Sequence, residues 1–107
     1  MRLYNQLLML VILFSPFNIS ANEYCNNLVH YAKTVWVAAA GGTHIDVVDK
    51  EIPENVIHYN MTTNIAARIV IYTYESVYNT EKTLEEVTVD INNVCRERHK
   101  EFEYFGK

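Results

Sequence analysis

Residues 65–78 read Ile65-Ala66-Ala67-Arg68-Ile69-Val70-Ile71-Tyr72-Thr73-Tyr74-Glu75-Ser76-Val77-Tyr78. The run from Ile69 to Tyr74 is β-branched and aromatic, a composition that suits a strand. The surrounding residues argue for a helix. Met61, Ile65, Ala66, Ile69, Val70, Thr73 and Val77 recur at three- and four-residue spacing, the period of one helical face. No turn signal interrupts them, so one helix is expected over about residues 55–77. With that choice the chain becomes all-α.

Upstream, Cys25, Leu28, Val29, Ala32, Val35, Trp36 and Ala39 form a helical stripe that predicts a helix over about residues 24–40. Gly41-Gly42 ends it, as glycine does where the backbone turns left-handed. Thr43-His44-Ile45-Asp46 fits a capping box opening a short helix to about Asp49, with Pro53 in the next connection. Downstream, Thr83-Leu84-Glu85-Glu86 is a second capping box. Leu84, Val87, Ile91, Val94 and Cys95 form the stripe of a last helix, which Phe102 extends towards Tyr104. The expected fold is a small bundle of three main helices plus one short helix.

The N-terminus carries the marks of an export signal, residues 1–21. Arg2 supplies the positive start and Leu7 to Phe14 supply eight apolar residues, whereas a membrane-spanning helix needs about 20. Pro16, then Ser20 and Ala21, complete the pattern. Residues 22–107 form a single helical domain, exported to the periplasm or beyond the cell, with no stable membrane anchor after cleavage. It sets thirteen acids against eight Lys or Arg, a net of −5 once Arg2 is removed. The cations form no stripe, so no nucleic-acid partner is expected.

Two cysteines remain, Cys25 and Cys95. In a small exported chain an even count points to a disulfide. A redox role would need a second cysteine in close spacing, and a metal site would need His at ligand spacing. The bond would clip an early helix to a late one and help a domain too small for a large core.

Catalytic constellations are thin. Ser76 lacks a Gly-flanked elbow, and Gly41-Gly42 is not a phosphate loop. His44-x-Asp46-x-x-Asp49 could be drawn as a metal site, but a capped, solvated turn accounts for the same residues. Glu85 and Glu86 are adjacent, so on a helix they diverge by about 100°. Asn60-Met61-Thr62 is a glycosylation sequon that matters only in a eukaryotic secretory route. No cofactor and no metal are expected. The aromatics say more: Ile71, Tyr74 and Tyr78 follow one helical edge, turned away from the Ala66/Ile69/Thr73 face. That surplus makes Ile71, Tyr74 and Tyr78 the candidate partner surface.

The layout resembles a loose group of small exported two-cysteine helical proteins of Gram-negative bacteria and their phages. The features that carry the resemblance are Cys25, Ala38-Ala39-Ala40-Gly41-Gly42, Ile45-Asp46-Val47-Val48, residues 66–74, Thr83-Leu84-Glu85-Glu86 and Cys95. Ala40 departs from the group, which carries a basic residue before the glycine. The resemblance implies a helical, disulfide-bonded, exported domain and assigns no functional residue.

The sequence therefore leads to a non-enzymatic, periplasmic or secreted protein-binding module, such as an inhibitor or immunity-type protein. Its partner is a protein, with self-association into a homo-oligomer left open. An acid-stress chaperone is the alternative, on the acidic composition, the clip and the small size. A small hydrolase is a distant third.

Overall fold

The computed structural model describes residues 21–97, with side chains from residue 23 onward. Residues 1–20 of the expected export signal, and the expected extension of the last helix past Glu97, lie outside the described residues. Within them the chain is all-helical: α1 (Ala21–Ala40), α2 (Ile45–Tyr59), α3 (Thr63–Tyr78) and α4 (Leu84–Glu97).

α1 is the central helix. It packs most extensively on α4, then on α3, then on α2, while α2 also packs on α3. Tyr24, Leu28, Tyr31, Val35 and Ala39 are buried along it at helical spacing. The Cys25 and Cys95 sulfurs are at disulfide distance, joining the start of α1 to the end of α4. The antiparallel pairing expected of these two helices follows. α1 ends in a Schellman arrangement: Thr43 N–H donates to Ala38 O and Gly42 N–H to Ala39 O. Gly42 carries the left-handed φ of +87° that this ending requires.

The second helix departs most from the sequence reading. α2 is 15 residues long instead of a short turn, and Pro53 lies inside it. Val48, Ile52 and Val56 recur every fourth residue and face the core, so burial carries the helix through the proline. Its start also shifts. His44, not Thr43, is the N-cap, and its Nδ1 accepts from Asp46 N at 3.2 Å. The single helix expected over residues 55–77 is divided at Asn60, which is left-handed at φ 54° and caps α2. Thr62 opens α3, its Oγ1 accepting from Ile65 N. Asn and Thr flanking Met61 are ordinary helix-stop and helix-start residues. The apolar period runs across them because Met61 is itself buried.

The second capping box forms as its residues predict. Glu86 N–H donates to Thr83 Oγ1 at 3.2 Å, and Thr83 N–H donates to Glu86 Oε1 at 3.0 Å. α3 and α4 are consecutive in the chain yet touch sparsely. Each rests on α1, and a groove is left open between them.

Candidate functional site: the α3 ridge and its two grooves

The exposed edge of α3 carries Asn64, Arg68, Ile71, Glu75 and Tyr78 at three- and four-residue steps. Ile71 is 53% exposed and Tyr78 58% exposed, both high for apolar or aromatic side chains. Glu75 forms the wall between two depressions, one on each side of this ridge.

On the α4 side lies the larger one, a cleft of about 640 Å³. Its apolar lining is Ile71, Tyr72, Ile91 and Val94. Val94 belongs to the apolar stripe read for the last helix, but it is 40% exposed because α3 stands too far off to cover it. Arg68 and Glu75 stand on the α3 rim, Asp90 and Asn93 on the α4 rim, and Lys82 at the hairpin end. The volume falls in the range of binding clefts, and the apolar lining with a few polar groups is their usual chemistry.

The hairpin end of the cleft is fastened by three side chains. Lys82 Nζ donates to Asp90 Oδ2 at 2.8 Å and to the Tyr72 hydroxyl at 3.1 Å, while that hydroxyl donates to Asp90 Oδ2. The Lys82 ammonium, then the Tyr72 hydroxyl, hold the Asp90 carboxyl below the usual carboxylate range, against a smaller opposing effect of burial. Bonds to Asp90 and Tyr72 raise Lys82 in turn. The connection itself is anchored from beneath, because Trp36 Nε1 donates to the Lys82 carbonyl at 3.1 Å and Lys82 N–H donates to Ser76 O. None of Tyr72, Lys82 or Asp90 stands out in the sequence. They converge only once α3 and α4 have turned back on each other.

On the other side of the ridge is a shallower recess of about 390 Å³, between Tyr74 and Tyr78 and the loop Gly42-Thr43-His44-Ile45. Here the structure corrects the sequence reading. Tyr74 is 7% exposed and belongs to the core, not to a free edge. Its hydroxyl donates to Thr43 O at 2.8 Å. The Tyr78 hydroxyl donates to Ala39 O, although most of its ring stays in solvent. Tyr74 satisfies a carbonyl of the loop that follows α1, and Tyr78 adds a second donor to the Ala39 carbonyl, which already accepts from Gly42 N–H. Ile71, Tyr74 and Tyr78 therefore divide: Ile71 faces the α4 groove, Tyr74 is inside, and Tyr78 borders the recess.

Among the described residues no group of three or more His, Cys, Asp or Glu could hold a metal ion, and no helix is long and apolar enough to cross a membrane. His44 and Asp46 are exposed at the start of α2, and Asp49 is exposed one turn further on. No family model, curated protein or solved structure matches the chain.

Proposed function

We propose that the protein is a non-enzymatic, exported protein-binding module that takes up an apolar segment of its partner in the α3–α4 groove. The observation that carries this reading is the groove itself. Ile71 and Val94 are open to solvent on facing helices above Ile91, with polar groups confined to the rim. An apolar centre inside a polar rim is the anatomy of protein-binding surfaces. A clip from Cys25 to Cys95 suits an oxidising compartment, where such modules are exported. Membership of the two-cysteine exported group described above is part of the same proposal.

The test is capture by the immobilised chain, with Ile71→Asp as the comparison. Loss of capture, with an unchanged melting curve, supports the reading. Equal capture by both forms sinks it.

Acid-stress chaperoning is kept as a second reading because one observation favours it. The hairpin end of the groove is latched by the Asp90 carboxylate, and a proton on that carboxylate removes the latch. An acid chaperone would then suppress client aggregation near pH 2–3 and lose that activity on neutralisation.

A further inference from the structure

Resting on the reading of the α3–α4 groove as the binding site, we propose that the protein segment it takes up is basic as well as apolar, with a Lys or Arg side chain seated beside Glu75 at the hairpin end.

The open acceptors of the groove point to this chemistry. Glu75 is exposed on the α3 wall, and among the described residues nothing pairs with its carboxylate. Asp90, half-buried on the α4 wall, uses only one oxygen in the latch. Lys82 Nζ and the Tyr72 hydroxyl both donate to Oδ2, and among the described residues no bond closes on Oδ1. A carboxylate oxygen accepts and never donates, so both open positions call for a donor. The charge of Lys82 is matched by Asp90, and Glu75 is left over. Glu86 stands one turn before Asp90 on the same edge of α4, and Glu81 adjoins Lys82; both are exposed. The helix poles do not change this sign, because the negative end of α3 and the positive end of α4 meet at the hairpin and oppose each other. Arg68 lines the cleft beyond Ile71, about 10 Å along α3 from Glu75, and takes no part at this end.

Apolar contact and charge divide the work. A rim ion pair in water contributes little affinity, so the apolar floor holds the segment while the charge sets its direction. Ile71 and Glu75 are one turn apart on α3, about 6 Å along its axis. A segment that lays an apolar side chain on Ile71, Ile91 and Val94 therefore carries its base about 6 Å further on. That spacing is about two residues in an extended segment or about four in a helical one.

The experiment is selection from a displayed library of random short peptides on the immobilised full chain. Bound sequences should combine apolar side chains with Lys or Arg at that spacing, and Glu75→Lys should turn the preference to Asp or Glu. A selected basic peptide, measured by fluorescence anisotropy, should bind Glu75→Gln about two- to five-fold more weakly than the parent. Melting curves of both Glu75 variants should match the parent. A loss of stability would show that the carboxylate is already paired, and overturns the proposal. So does a dimer of the chain that Ile71→Asp dissociates, because the occupant is then a second copy. Apolar sequences with no basic preference, lost on Ile71→Asp, leave the site standing and its partner chemistry wrong. Basic sequences that respond to Glu75 and ignore Ile71→Asp leave the charge preference standing and the groove wrong. A library that yields no binder overturns both.

Discussion

The Tyr74 hydroxyl donates to the Thr43 carbonyl at 2.8 Å, fixing the last turns of α3 against the loop that ends α1. A residue that the aromatic pattern offers for partner contact is thereby a structural tie. Tyr74→Phe should cost about 1 kcal/mol of stability by stranding that carbonyl, and Tyr74→Ala about 3 kcal/mol by truncating a buried ring. Ile71→Ala, more than half in solvent before mutation, should fall within about 0.5 kcal/mol of the parent. Thermal melts of the three variants check this. A large loss at Ile71 with none at Tyr74 would reverse the burial assigned here.

Reduction should matter more than any single side chain. The Cys25–Cys95 link closes a span of 70 residues, worth about 4 kcal/mol on the loop-entropy account. In a domain of this size that amounts to a drop on the order of 20 °C in Tm. Native protein should show no titratable thiol until it is denatured and reduced. Two thiols in the folded, air-exposed protein would contradict the pairing.

Acid should unlatch the hairpin. The Asp90 carboxyl is lowered first by Lys82 and then by Tyr72. A lowered carboxyl stabilises the fold above its unfolded value, about 3.9, and that contribution disappears as pH falls through the folded value. Asp90→Asn should therefore be less stable than the parent at pH 6 and should lose less between pH 4 and pH 2. Parallel acid titrations of the two proteins, followed by circular dichroism, make the comparison. Identical slopes would remove Asp90 from the acid response.

The alkaline side depends on Tyr31. Burial pushes its hydroxyl up to about 12, with Asp49 and Glu51 adding to the rise and Asn55 opposing it. That hydroxyl is buried without a hydrogen-bond partner, and burial is the main cause of the rise. A raised tyrosine stabilises the fold fully below its unfolded value near 10 and loses that contribution as pH climbs through 12. Tyr31→Phe should change stability by no more than about 1 kcal/mol at pH 7, because no hydrogen bond is lost. It should also flatten the decline between pH 10 and pH 12. Tyr74, likewise raised by burial, keeps part of that decline in the variant.

Local chemistry made the helix ends legible. Gly42, Thr83 and Glu86 hold the roles that their types predict. Long apolar periods made the faces legible, and Ile69–Tyr74 is helical despite its strand-like composition. Pro53 misled because a proline within an amphipathic helix costs less here than exposing Val48 and Ile52. Tyr31 escaped notice because its hydroxyl reads as polar while its ring is fully buried. The groove could not be read at all. Ile71 reads as an edge residue, but Val94 looks like a core residue until the separation of α3 from α4 is known, and that separation is set by how each rests on α1. The latch of Tyr72, Lys82 and Asp90 joins two helices and their connection, so no fixed spacing announces it.

α1, the first described helix in the chain, has its most extensive contact with α4, the last. A chain being synthesised has α1, α2 and α3 before it has the surface that covers Leu28 and Cys25. Much of the folding reward therefore arrives only with the final helix. Until then α1 keeps part of its apolar stripe bare, and the bundle closes only when its first and last described helices meet.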